Sequence, residues 1–277
     1  MGSLRKSLAF AALTGAFLAS SAYSQDMRDR LKLNIPQGLE TEIGHFPRGA
    51  PGISSGSPIA FGANWHDAFV GVGYQSPVRY SDAADGGAAI GVGLGDSRET
   101  VGLELVVNPL STFRSGVGNR VGFSAKLHKL LPDNWGIAAG VQDIIMNKNK
   151  DDGNPSIFGV VSKVIDLRGT AIGMFKALTL SGGVGNEGFR LEKDIRNNNS
   201  TVGVFGSAAL RVHEQVSVIA DWGGQDLTAA VSFVPFVDLP FVITPGVADL
   251  TGQAGVYGTT KTVRPRFVLS AGFAFRW

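Results

Sequence analysis

The chain has 277 residues, 44% of them hydrophobic and only 17% charged, and its 38 glycines are about twice the usual share. That length accommodates one large domain or a closed barrel, and the low charge argues against an intrinsically disordered chain. Cysteine is absent, which excludes disulfides, thiolate metal sites, a lipoprotein anchor and a cysteine nucleophile.

The first 24 residues have the layout of a cleaved secretory signal peptide. Arg5 and Lys6 precede the apolar run Leu8–Leu18, and Ala22-Tyr23-Ser24 supplies a small-residue cleavage site. The run is too short for a transmembrane helix, which needs about 20 residues. Removing residues 1–24 takes away those two basic groups and no acid, leaving acids and bases balanced. The apparent basicity of the whole chain therefore does not point to nucleic acid. Residues 25–66 hold Pro36, Pro47, Pro51 and several glycines. They are expected to form a periplasmic extension, a plug, or a strand pair that uses the apolar segment Pro58–Ala63.

From residue 67 onward the hydrophobic pattern has a period of two, the strand signature. The most apolar stretch, Val231–Leu250, cannot be a helix, because it carries Pro235, Pro240 and Pro245. Alternation predicts strands near 67–74, 87–94, 100–107, 120–129, 134–142, 156–166, 176–185, 202–211, 215–222, 227–234, 240–249 and 266–277. In the last of these Phe267, Leu269, Ala271, Phe273, Phe275 and Trp277 share one face, and Val268, Ser270, Gly272, Ala274 and Arg276 the other. Links alternate between short turns and longer polar loops, as in a membrane barrel with its turns on the periplasmic side. The expected fold is all-β: an antiparallel transmembrane β-barrel over 67–277 with about 12 strands, or about 14 if 25–66 adds a pair.

With that topology His128, Lys163, Arg211 and Arg276 are expected to point into the lumen near the periplasmic end. Asp221 is expected inward near the extracellular end, and Glu104 roughly midway, within reach of Lys126. Clustered cations between low-dielectric walls would make a mouth that attracts anions, unless Asp96, Glu99, Asp133, Asp166 and Glu214 neutralise it. Trp135, Trp222 and Trp277 fall at strand ends on the expected lipid face, where amphipathic rings favour the bilayer interface.

Catalytic and cofactor readings fare poorly on geometry. His128 shares a face with Ser124, but at about 3.4 Å per residue the two are about 13 Å apart along one strand, too far for a dyad. Asp151-Asp152-Gly153-Asn154 lacks the terminal acid of a calcium loop and reads as an ordinary turn. Gly71-Val72-Gly73 and Gly91-Val92-Gly93-Leu94-Gly95 are followed by no helix and are not phosphate loops. No enzyme activity, cofactor or metal is expected.

The signal peptide, the alternating strands and the ending Phe273-Ala274-Phe275-Arg276-Trp277 together resemble bacterial outer-membrane β-barrel proteins. The resemblance implies a place in the outer membrane, contact with its lipid, and a C-terminal insertion signal read by the barrel-assembly machinery. In that signal Phe273, Phe275 and Trp277 would be the recognised aromatics, although a final Phe is commoner in the family than Trp. A second, local resemblance is to barrels associated with exopolysaccharide secretion. It lies in Phe205-Gly206-Ser207 and in the run from Val218 to Leu227, and it implies a polysaccharide or a secretion partner. The function expected is a non-enzymatic accessory in envelope biogenesis or surface-polysaccharide secretion. The alternative is a porin-like passive channel for small solutes.

Overall fold

The computed structural model describes residues 49–79, 84–109, 121–145, 154–167, 175–252 and 265–277. The expected signal peptide, residues 25–48 and the Asp151-Asp152-Gly153 turn lie outside the described residues. The strands are β1 (Asp67–Ser76), β2 (Asp85–Gly95), β3 (Gly102–Pro109), β4 (Val121–Leu131), β5 (Trp135–Ile145) and β6 (Ser156–Asp166). They continue as β7 (Ala177–Gly185), β8 (Gly203–His213), β9 (Val216–Trp222), β10 (Leu227–Phe233), β11 (Phe241–Ala248) and β12 (Arg266–Arg276). A short helix, α1 (Glu192–Arg196), lies in the β7–β8 link.

Each strand pairs antiparallel with its sequence neighbours, and β1 pairs with β12, so the sheet closes into a barrel of twelve strands. The closing register sets Asp67 opposite Arg276 and Gly71 opposite Gly272. Closure is what membrane placement requires of a sheet, because lipid offers no partner to a free edge. The start of β1 and the end of β12 lie at the rim that also carries the β2–β3, β4–β5, β6–β7, β8–β9 and β10–β11 links. We call this the turn end, and the opposite rim the loop end.

Alternation sorts the side chains onto the two faces of the wall. Val70, Val72, Ile90, Val92, Leu105, Val107, Phe123, Leu127, Ile157, Val161, Val204, Val218 and Phe267 form an exposed apolar exterior. An antiparallel barrel with such a band is the architecture of bacterial outer-membrane proteins. No described helix is long and apolar enough to cross a membrane. Trp135 and Trp277 are exposed at the turn end, joined there by Trp65, while Trp222 is partly exposed at the loop end.

Three irregularities interrupt the wall among the described residues, one of them a register shift in the β8–β9 ladder between Arg211 and His213. Between Phe123 and Ala125 the β4–β5 register shifts by a residue, placing a bulge on β5. In the β10–β11 ladder Ala230 pairs with Gly246 and Phe233 with Ile243, with no recorded pairing at Pro245 and Thr244. Pro245 has no N–H to donate. A side-chain bond bridges that gap, from Thr244 Oγ1 to Ser232 Oγ at 2.7 Å.

Candidate functional site

The lumen is occupied by the protein's own chain. Residues 49–66 run through it as a strap, and Ile53, Ser54, Ser55, Ser57, Ile59, Ala60, Phe61 and Ala63 are all buried. The path can be followed by its tethers. Gly49 lies against Pro240 at the turn end. Gly52 N–H donates to Ser232 Oγ (2.6 Å), and Ser207 Oγ donates to the Ile53 carbonyl (3.2 Å). The strap reverses at Ser54–Ser57, under the loop end. It descends past Ser162, whose Oγ accepts the Ala60 N–H at 2.9 Å. Trp65 N–H finally reaches the Gly95 carbonyl at 2.7 Å, beside the start of β1.

Sequence explains why this segment can occupy a barrel. It is built of glycine, serine, alanine and proline with a few large apolar groups, so it is slim and makes no ladder of its own. Its backbone donors are met instead by serine hydroxyls and carboxylates of the inner wall, as buried amides require. Ile53, Ile59 and Phe61 fill the remaining space with Leu130, Val164, Ala209 and Ile219. Gly93 admits the strap's exit, since a Cβ there would stand 2.2 Å from the Asn64 carbonyl oxygen and 2.3 Å from the Ala63 carbonyl carbon.

Two clusters of lumenal charge hold the strap. At its apex Asp221 accepts from Ser54 Oγ (2.7 Å), Ser55 N–H (2.8 Å), Ser57 N–H (3.2 Å) and Ser57 Oγ (2.5 Å). On the descending limb Lys126 Nζ pairs with Glu104 at 3.1 Å and donates to the Phe61 carbonyl at 2.7 Å. Glu104 also accepts the Ala63 N–H at 2.9 Å, and His128 Nε2 lies 3.0 Å from the Ala63 carbonyl. The contacts made by Asp221, Glu104 and Lys126 are charge-assisted, stronger than neutral hydrogen bonds.

A third cluster ties down the loop end. Arg79 pairs with Glu192 of α1 (3.0 Å) and with Asp226, and Arg266 pairs with Asp226 (2.7 Å) and donates to Gln75 Oε1 (2.5 Å). The β7–β8 link thereby folds over the barrel. Its Phe189 packs on Phe205, with ring centroids 4.4 Å apart, and on Phe158 at 5.9 Å. Gln225 Nε2 donates to the Gly188 carbonyl at 2.6 Å. Gly224, at φ 92°, lets the β9–β10 turn pass the Phe189 main chain, which a Cβ would meet at 2.1 Å.

The expected lumen residues can now be placed. Glu104, Lys126, His128 and Asp221 face inward and grip the strap. Arg211 also points inward, but its guanidinium folds onto the Glu214 carbonyl at 2.5 Å and lies 3.8 Å from its carboxylate. Arg276 pairs with Asp67 at 2.7 Å. Lys163 is a correction: it stands on the outer face. Ser162 and Val164 are the buried residues of that stretch, so residue 163 must point outward. Its ammonium lies 4.9 Å over the Trp135 ring and donates to the Asp133 carbonyl, keeping the charge at the rim while the stem lies along the wall. With Arg276 and Arg211 paired, His128 buried and Lys163 outside, the turn end does not hold the unpaired basic cluster that the sequence suggested.

Sequence reasoning did not single out Asp67, Arg79, Glu192, Asp226 or Arg266. For Arg266 the parity of β12 was the available signal, since it is in step with the inward Val268 and Ser270. Arg79 and Glu192 lie in links, where no periodicity assigns a direction. The segment behind the polysaccharide-secretion resemblance has structural work here: Phe205 packs on Phe189, Ser207 holds Ile53, and Asp221 holds the apex.

No protein-family model and no curated protein matches the sequence. Among solved structures, the chain is similar to the Acinetobacter baumannii outer membrane protein Omp33, with 8% identity and a TM-score of 0.39. That match covers 76% of this chain and 98% of the other. It is also similar to Ail, the attachment invasion locus protein of Yersinia pestis, with 12% identity and a TM-score of 0.17. That match covers 76% of this chain and 99% of the other. Neither likeness supports a residue-by-residue correspondence.

Proposed function

We propose that this chain is an outer-membrane barrel whose own strap holds the lumen shut, serving as a non-enzymatic accessory of the cell envelope and not as an open diffusion channel. The observation that carries this reading is the Asp221 cage. A buried carboxylate on the wall takes donors from three strap residues, Ser54, Ser55 and Ser57, and so fixes the strap's apex across the lumen. The Arg79–Glu192–Asp226 cluster supports it by drawing the β7–β8 link over the same end. A role beside a surface polysaccharide or a secretion partner is the finer form of this proposal.

Conductance of the purified protein in planar bilayers tests it. The intact protein is expected to be silent, and a variant lacking residues 49–60 is expected to conduct. Steady ohmic openings of the intact protein would favour the diffusion channel and sink the closed-barrel reading.

A further inference from the structure

The inner wall carries a polar group that neither the strap nor the loop-end cluster uses. On the β4–β5 ladder Phe123 pairs with Ile144 and Ala125 with Val141, so Gln142 and Asp143 share the place opposite Ser124. Ile144 remains on the exposed exterior, and both bulged residues are buried. The extra residue therefore turns Asp143 to the lumen beside Gln142. It does so at φ 66°, a conformation in which non-glycine residues are uncommon and are often held for a functional reason.

Asn108 stands on the other side of Ser124. On the β3–β4 ladder Asn108 pairs with Gly122 and Val106 with Ser124, and Asn108 Nδ2 donates to Ser124 Oγ at 3.4 Å. Gly122, paired with Asn108 on one side and with Ile145 on the other, presents no side chain.

Asp143 is 2% exposed, yet neither of its carboxylate oxygens receives a hydrogen bond, and Asn108, 1% exposed, has an Oδ1 in the same condition. Lys126, on the same inner face of β4, is already engaged with Glu104 and the Phe61 carbonyl. A carboxylate this deeply buried needs a proton or a cation to offset its lost hydration. Two carboxylate oxygens, an amide oxygen and a hydroxyl, with neither thiolate nor imidazole, are the donors that hard cations select.

We propose that Asp143, Asn108 and Ser124 bind a hard, oxygen-seeking cation of the calcium, magnesium or sodium kind on the inner wall near the loop end. Folded full-length protein in detergent, stripped with a chelator and held in choline chloride, is titrated with each of the three cations while thermal unfolding is followed. At least one cation is expected to raise the midpoint saturably, for calcium with half-saturation on the order of 10⁻⁴–10⁻³ M. Asp143→Asn is expected to abolish that rise. No saturable response of the native protein, as a proton or a trapped water would give, overturns the proposal; so does an equal response of Asp143→Asn. Should Asp143→Asn fail to fold, calorimetric titration of Asn108→Leu decides the matter. About tenfold weaker binding supports the site, and unchanged affinity overturns it.

Discussion

The rising limb of the strap, residues 49–57, and the descending limb, which runs from residue 58 to the exposed Trp65 and His66, share one lumen but are held by different chemistry. The rising limb ends on a single carboxylate, Asp221, surrounded by neutral donors of the strap. The descending limb is held by an ion pair, Glu104–Lys126, whose members each take one further bond from the strap main chain. Losing a neutral donor leaves the other donors of a cage in place. Losing one member of a buried ion pair strands the other, and the stranded charge is the larger penalty. The two limbs should therefore differ in how they fail.

The largest effect is expected on the descending limb. Lys126→Met leaves Glu104 buried with the Ala63 N–H as its hydrogen-bond donor, which should destabilise the folded barrel by about 3–5 kcal/mol. Adding Glu104→Gln should recover much of that loss, and a double-mutant cycle on urea unfolding in detergent measures the coupling. Additive effects would show that the pair is not a unit.

Asp221→Asn should come next, at about 1.5–3 kcal/mol, the range for hydrogen bonds to a charged group. The amide keeps one acceptor oxygen and turns an NH₂ toward the backbone N–H groups of Ser55 and Ser57, which cannot reverse their direction. A cysteine at Ser57, in a chain that has none of its own, reads the strap directly. In the Asp221→Asn background it should react faster with a water-soluble maleimide than in the Ser57→Cys protein alone. Equal rates would mean that the apex is fixed by packing and not by the carboxylate.

At the strap's exit Gly93→Ala should cost about 1–3 kcal/mol, as overpacking does. The new methyl would meet main-chain atoms of Ala63 and Asn64 at 2.2–2.5 Å, and no rotamer change can relieve a backbone clash. The displacement should reach Trp65 and the N-terminal end of β1, so a changed Trp fluorescence maximum accompanies the loss. An unshifted spectrum with native stability would place the strap elsewhere.

Much of the wall was legible in the sequence, because a period of two fixes which residues share a face. Val216, Val218, Ala220 and Trp222 opposing Ser217, Ile219 and Asp221 is the observed arrangement of β9. Lys163 was misplaced because β6 offers apolar residues on both faces. There the inward side is set by the strap packing against Ser162 and Val164, not by polarity. The strap's course was not legible, since a Gly/Ser/Pro segment has no periodicity and its tethers span up to 180 residues of sequence. The β5 bulge was hidden for a related reason. Gln142-Asp143 reads as one more polar pair until the register shift of the neighbouring strand puts both side chains inward.

The smallest change sharpens the contrast between the limbs most directly. Ser54→Ala removes one hydroxyl that donates to Asp221 at 2.7 Å and, in the same geometry, lies 2.6 Å from the Ser57 carbonyl oxygen. A hydroxyl has one proton, so the two acceptors compete for it, and one of them already depends on other donors. Asp221 keeps the N–H groups of Ser55 and Ser57 and the Ser57 hydroxyl, so no charge is stranded. The expected loss is about 0.5–1.5 kcal/mol, that of an ordinary hydrogen bond, measured by the urea midpoint at unchanged slope. A loss as large as that of Lys126→Met would mean that the Asp221 cage fails as a unit, like the ion pair, and the distinction between the two limbs would fall.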